Sequence, residues 1–367
     1  MGRGDSIGEE RPLAGLRVCY FGRFDPHYSR NAVTAKCLER AGADIVQVRN
    51  DRGLLARTPG LIGRGLGATF DLLIVGFRAH SDMPAARLLA SLKRVPLVFD
   101  PLVSRFEEKV VDRRLVPERS WLAKWYKVSD RLGCRAATRV LLETSAQADY
   151  FAQTFGVART RFRRLWLGAD DEVMRPQADA PPADRFTAFF YGRFSPLHGI
   201  EHIIQAASCL ERRGDPVRFV LVGAGQTYQM ARDLVTRLGV STVSFVDPVP
   251  YAQLAVMMGG ADVCLGSFGT TARAARVIPN KVFDALAVGR PVIAADTPGA
   301  REALTHGRDA WLCASGSAEA IADSIAQLKR EPGLRQSLAD NGLRLFRDRF
   351  SLDALTRDLV EIVGELV

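Results

Sequence analysis

Short apolar runs, each closed by a loop and followed by a stretch of helical periodicity, recur along the chain and are interrupted once. Residues 16–21 run into Gly22 and a polar loop to Asn31, then a helical stretch over 32–41 and a second run at 45–48. The same pattern returns at 72–75, 97–99 and 140–142. Runs this short without polar alternation are strands buried on both faces, the signature of parallel sheets covered by helices. The interruption, residues 176–184, is rich in proline and carries no apolar period. Beyond it the rhythm restarts, with strands predicted at 188–191, 219–222, 243–245, 263–265 and 291–294 and helices over 200–212 and 226–238. The pattern predicts an α/β protein of two tandem doubly wound, Rossmann-like domains facing a central cleft. Residues 1–176 form the first domain, 177–184 the linker and 185–345 the second, with a helical tail, 346–367, returning to the first. In such sheets ligands lie beyond the carboxyl ends of the strands, so the loops after them are where chemistry belongs.

Composition narrows the class. Of 367 residues, 47% are hydrophobic and 25% charged, globular values that exclude disorder, collagen or coiled coil as descriptions of the whole chain. The longest apolar runs fall far short of the ~20 residues of a membrane span. The first fifteen residues hold no apolar core of a secretory signal, so a cytoplasmic protein is expected. Met1, Gly2 and Ser6 formally fit a myristoylation pattern, and Arg3-Gly4-Asp5 reads as tail composition. Six dispersed cysteines fit free thiols in a reducing compartment. The formal charge of +9 is uneven: residues 1–176 hold 30 bases and 20 acids, residues 177–367 hold 20 and 21. The positive charge belongs to the first domain.

Two segments of the second domain suit phosphate chemistry. Gly192-Arg193-Phe194-Ser195-Pro196-Leu197-His198-Gly199 joins a strand to a helix; its glycines admit a close approach of backbone to phosphate, and Arg193 can bond phosphate oxygens. Asn280, Lys281 and Asp284 share a helix face, so a cation can meet phosphate while a carboxylate accepts ribose hydroxyls.

With both in place, the chain resembles the retaining, nucleotide-sugar-dependent group 1 glycosyltransferases of GT-B fold. The resemblance rests on Gly192-Arg193, Val222-Gly223-Ala224-Gly225, Ser267-Phe268-Gly269, Asp284 with residues 289–293, and the loop 297–302; in the first half it is looser, through Tyr20-Phe21-Gly22, 148–151 and 167–170. It implies transfer of a sugar from a UDP- or GDP-sugar with retention, without a cofactor or metal, protein bases neutralising the leaving diphosphate. It implies a lipid-linked or saccharide acceptor, as in cell-surface polysaccharide or glycolipid assembly. Arg193 and Lys281 are expected to act in catalysis. Gly22, Gly192, His198, Gly223, Gly225, Phe268, Asn280 and Asp284 are expected to join them around the donor. Two departures stand out: His198 precedes Gly199 where the family has a lysine after the Gly-Arg loop, and the first of the family's paired acids, eight positions before Asp284, falls on Arg276.

Other motifs are weaker. His198, Glu201 and His202 have the spacing of an inverted zinc-peptidase motif, but His198 lies in a loop and no third ligand follows. Gly223-Ala224-Gly225 resembles a dinucleotide fingerprint, yet Tyr228 stands where the third glycine belongs, against a dehydrogenase. The basic half has no nucleic-acid reading motif.

The acceptor is expected on the first domain. Asp100, after a strand, is the expected group that positions or deprotonates its hydroxyl, with Arg105 close by. The long first loop offers Arg23, Asp25, Tyr28 and Arg30. Trp121, Trp125, Val128 and Leu132 recur at helical spacing beside Lys124, Lys127, Arg131 and Arg135. Such a stripe belongs either to a core-facing helix with a solvated basic side or to a helix lying on an anionic membrane.

Overall fold

The computed structural model describes residues 11–177 and 184–367. The amino-terminal acylation pattern, Arg3-Gly4-Asp5 and residues 178–183 of the expected linker lie outside the described residues. The first domain alternates β1 (Arg17–Gly22), α1 (Ser29–Arg40), β2 (Asp44–Arg49), α2 (Leu54–Gly67), β3 (Leu72–Val75), α3 (Met83–Lys93), β4 (Leu97–Phe99), α4 (Trp121–Ala136), β5 (Arg139–Leu142), α5 (Ser145–Phe155) and β6 (Phe162–Arg164). Its six strands are parallel in the order β2-β1-β3-β4-β5-β6, so the order reverses between β1 and β3.

The second domain runs β7 (Thr187–Tyr191), α6 (Ile200–Arg212), β8 (Arg218–Val222), α7 (Tyr228–Leu238), β9 (Val243–Val246), α8 (Tyr251–Gly259), β10 (Val263–Leu265), α9 (Asn280–Val288), β11 (Val292–Ala295), α10 (Pro298–Arg301) and β12 (Trp311–Cys313), with α11 (Ala318–Arg330) and α12 (Pro332–Arg349) beyond. The sheet order β12-β11-β10-β7-β8-β9 places its reversal between β7 and β10. Central strands such as β3 and β11 are wholly buried, which is why they read as uninterrupted apolar runs. The three-residue edge strands β6 and β12 are only partly buried and carry no such signal.

The tail helix α13 (Leu352–Gly364) crosses back to the first domain and packs on α1: Thr356 Oγ1 donates to the Cys37 carbonyl at 3.5 Å and Arg40 pairs with Asp353 at 2.5 Å. Direct contacts also tie the domains together across the cleft. Glu302 accepts the backbone N–H groups of Ser145 and Ala146 at 2.7 and 2.8 Å, a carboxylate at the positive end of α5 supplied by the other domain. Arg276 pairs with Glu107, Arg273 lies 3.4 Å from Asp112, and Gln226 and Arg113 exchange two hydrogen bonds. Glu107 and Asp112 sit on one π-helical turn, Glu107–Asp112, a rare geometry found mostly at functional sites.

The apolar stripe of α4 faces solvent. Trp121 is 77% exposed, Trp125 53%, Val128 48% and Leu132 57%, while the buried side of the helix is made of Ala123, Asp130, Gly133 and Cys134. The core-facing reading of this stripe is therefore overturned.

Candidate active site

The carboxyl ends of the two sheets meet in a cleft of about 700 Å³. From the second domain it is lined by Tyr191, Gly192, Arg193, Ser195, His198 and Arg273, and by Pro279, Asn280 and Lys281 at the start of α9. No side chain caps that helix, so its free backbone N–H groups and positive dipole end open on the cleft. These residues surround the switch point between β7 and β10, where an open sheet leaves a crevice for a ligand.

Glycines make the loops fit. At Gly192 a Cβ would come 3.2 Å from Lys281 Nζ, so the ammonium lies directly over this backbone. Gly223, at φ +137°, and Gly225, at φ +152°, face the backbone of residues 192–194: added Cβ atoms would sit 2.0 Å from the Gly192 carbonyl and 2.4 Å from that of Phe194. Neither lines the cleft; these two glycines let one loop stack on the other. Tyr228 packs on Phe194 and Phe245 at the start of α7. The space a dinucleotide pyrophosphate needs in a Gly-x-Gly turn is thus filled by the chain itself.

Lys281 is 5% exposed, its ammonium 4.7 Å from the Phe190 ring and 3.3 Å from Ser267 Oγ. Burial pulls it down to about 7, with Asp284 opposing. Burial also pushes the Asp284 carboxyl up to about 7, against hydrogen bonds from Tyr191 Oη and, at 2.6 Å, Tyr251 Oη and the charge of Lys281. His198 is held well below its usual range by burial and by the neighbouring cations Lys281, Arg273 and Arg193, so it enters the site as a neutral imidazole.

Several expected site residues need correcting. Asp284 is fully buried and occupied by two tyrosines, so it supports Lys281 and does not face a ribose in this arrangement. The Phe268 ring is fully buried in the second domain's core. Gly22, at φ +107°, is where Asp82 closes on the strand end, 2.8 Å from a Cβ placed there; it lies away from the donor cradle. Asp100 and Arg30 form a fully buried ion pair at 2.7 Å, and Arg30 also donates to the carbonyls of Leu165 and Trp166. With no exposure at all, Asp100 cannot reach an acceptor hydroxyl.

Other expected residues do meet at the cleft: Arg193, Lys281, Asn280, Gly192 and His198 from one side, Tyr28 and Arg105 from the other. Arg105 is tied to Ser81 at 2.7 Å, to Ser129, and to Asp130 at 3.6 Å. Arg23 and Asp25 line a separate groove on the first domain. His198 stands in a turn before α6, outside the helix that carries Glu201 and His202, and among the described residues no group of three or more His, Cys, Asp or Glu is poised to share a metal.

Arg273, Arg78 and Glu143 were not among the expected site residues. Glu143 follows β5, lines the cleft, and has an Oε2 without a hydrogen-bond partner; burial pushes its carboxyl up to about 8. It occupies the Leu-Leu-Glu-Thr end of an apolar run, and its position at a strand's carboxyl end was the one available signal.

Residues 174–344 match the family described as "Glycosyl transferases group 1". Alpha-D-kanosaminyltransferase of Streptomyces kanamyceticus is 24% identical over 78% of this chain and 76% of its own length. A D-inositol 3-phosphate glycosyltransferase of Kribbella flavida is 30% identical over 55% of this chain, which spans only 51% of that relative. Among solved structures, Anabaena HepE in complex with UDP-glucose superposes with a TM-score of 0.72 at 17% identity, covering 96% of this chain and all of that one. Sucrose-phosphate synthase from Thermosynechococcus elongatus gives 0.76 at 16% identity, over 95% and 98% of the two chains. The two facing sheets are the GT-B fold, and the second domain, over residues 174–344, matches the group 1 glycosyltransferases.

Proposed function

We propose that the enzyme moves a sugar from a nucleoside diphosphate donor, a UDP- or GDP-sugar, to a hydroxyl of a lipid-linked or saccharide acceptor with retention of configuration. The observation that carries this reading is the concentration of Arg193, Lys281, Arg273 and the open amino end of α9 around one switch-point crevice. As the bond between the sugar's anomeric carbon and the diphosphate breaks, negative charge grows on the departing oxygen. Preorganised cations and backbone N–H groups in a partly dehydrated cleft stabilise that charge more than they stabilise the ground state. The acceptor oxygen bonds to the anomeric carbon, and its proton leaves with the diphosphate. No metal or cofactor is required by this scheme, because the protein supplies the countercharge. Neutral His198 adds a hydrogen-bonding group without adding to the crowd of cations.

The outward stripe of α4, with Lys124, Lys127, Arg131 and Arg135 exposed beside it, supports a peripheral position on an anionic membrane surface, at its cytoplasmic face, in polysaccharide or glycolipid assembly. Among the described residues no helix is long and apolar enough to cross a membrane.

A panel of nucleoside diphosphates in a thermal-shift assay, followed by hydrolysis of the matching sugar donors, tests the reading. Arg193→Ala is expected to lose both turnover and donor affinity; wild-type turnover would remove Arg193 from the mechanism. The anomeric configuration of the product, read by NMR, tests retention. Stabilisation by NAD alone would revive a dehydrogenase.

A further inference from the structure

The first sheet has a switch point of its own, between β1 and β3, and there lies a second cavity of about 650 Å³. Its walls are the loop after β1 (residues 23–27), Arg49 and Asp51 at the end of β2, Leu54 and Arg57 of α2, and Arg78 and Ser81 after β3. Arg78 and Ser81 also line the interdomain cleft, so the groove and the donor site share a wall.

Four arginines face this groove, and they are not equivalent. Arg57 is committed to buried Asp82 at 2.8 Å, and Arg49 to Asp51 at 2.6 Å. Among the described residues the guanidinium groups of Arg23 and Arg78 make neither an ion pair nor a hydrogen bond. The backbone from which the exposed Arg23 side chain springs is fixed, its N–H donating to Asp82 Oδ2 at 2.8 Å. Arg78 lies over the rings of Tyr28 and Phe77, 5.6 and 5.7 Å from their centroids. Its backbone sits at φ +76°, in the left-handed region that disfavours any residue but glycine. Such strain persists where surrounding structure over-determines it, and it clusters at ligand sites. Of the acids in the wall, Asp51 is held by Arg49, while Asp25 accepts only the His27 N–H through Oδ1 and has no cationic partner among the described residues, so two free guanidinium groups stand against one carboxylate. Two free guanidinium forks in a concave site at a switch point are suited to the fork-like bonding of a phosphate.

We propose that this groove anchors the acceptor and that the acceptor carries a phosphate group, gripped by Arg23 and Arg78, while the hydroxyl to be glycosylated passes the Arg78–Ser81 wall into the cleft. The inference rests on the glycosyltransferase reading and adds the chemical class of its second substrate. A phospholipid headgroup and a free sugar phosphate share this chemistry, and the test separates them.

With the donor site first saturated by the nucleoside diphosphate that binds, the protein is titrated with glycerol 3-phosphate and, separately, with glycerol. The phosphate ester is expected to bind at one further site and glycerol not at all. Arg23→Ala and Arg78→Gly, the latter compatible with the left-handed backbone, are each expected to weaken that binding about tenfold. Phosphatidic acid vesicles are compared with soluble glycerol 3-phosphate in a Trp121→Glu/Trp125→Glu background, which removes the α4 stripe. Vesicle binding that persists there and falls with Arg78→Gly identifies a lipid phosphate; binding of the soluble ester alone identifies a free one. No phosphate binding to the saturated protein, or equal binding by the double arginine variant, overturns the proposal. Phosphate binding lost in that variant by a protein that takes no nucleoside diphosphate would instead refute the glycosyltransferase reading and keep the groove.

Discussion

Lys281 gives the donor site a pH dependence that can be worked out in advance. In the free protein burial holds its ammonium down to about 7, against 10.5 for the exposed group. A diphosphate laid against it restores the charged form, so binding above pH 7 must take up a proton. One pH unit above the midpoint, charging the amine costs about 1.4 kcal/mol, a tenfold loss of affinity, and two units cost about a hundredfold. The terminal phosphate of a nucleoside diphosphate loses its last proton at about pH 6, so the slope due to the lysine is read above pH 7, where the ligand is fully ionised. The expected result is nucleoside diphosphate affinity that falls as pH rises above about 7, approaching tenfold per unit by about pH 8, with uptake of about 0.9 proton at pH 8. Calorimetry in two buffers of different ionisation enthalpy reads that proton directly. Lys281→Met should bind more weakly and lose the slope. Asp284→Asn should shift the onset to lower pH, because Asp284 is what raises the Lys281 midpoint. Uptake below about 0.2 proton at pH 8, or an unchanged slope in Lys281→Met, would refute a buried, half-discharged lysine as the phosphate ligand. The stability of the free protein runs the opposite way. The folded state releases this proton above about 7 and the unfolded chain above 10.5, so Lys281 makes stability rise with pH across that window.

Three further outcomes follow from the same structure. Trp121→Glu with Trp125→Glu should leave the melting temperature within a few degrees of wild type and abolish salt-sensitive sedimentation with anionic vesicles; a large loss of stability would place the stripe in a core after all. Gly223→Ala forces a Cβ to within 2.0 Å of the Gly192 carbonyl at φ +137°, and should cost at least ~2 kcal/mol by moving both donor loops, visible as proteolysis of the second domain; a normally stable variant with wild-type donor affinity would sink the stacked-loop argument. Asp100→Ala strips a fully buried Arg30 of its partner and should cost about 3–5 kcal/mol of stability, whereas a catalytic base would cost rate at unchanged melting temperature.

The cationic crevice was legible in sequence because its parts are local. Gly192-Arg193 lies in the turn between β7 and α6 and Asn280-Lys281 opens α9, and a loop after a buried strand ends at the cleft wherever the sheet goes. The acceptor side was not legible in this way. Asp100 and Arg78 both follow buried strands, yet one turned inward to Arg30 and the other outward over Tyr28 and Phe77. Arg276, the departure from the family's paired acids, acquires a meaning only across the cleft, where its guanidinium pairs with Glu107 and stacks over Tyr150 at 4.0 Å.

The sequence by itself determined two parallel α/β sheets and the strand ends whose loops gather at the cleft, since apolar periodicity and glycine placement act within a few residues. Only the tertiary structure decided which polar groups face the cleft and which neutralise one another inside a domain. It also decided that the tryptophan stripe of α4 points to solvent. Periodicity shows that a helix has an apolar face, but what covers that face depends on neighbours distant in the chain.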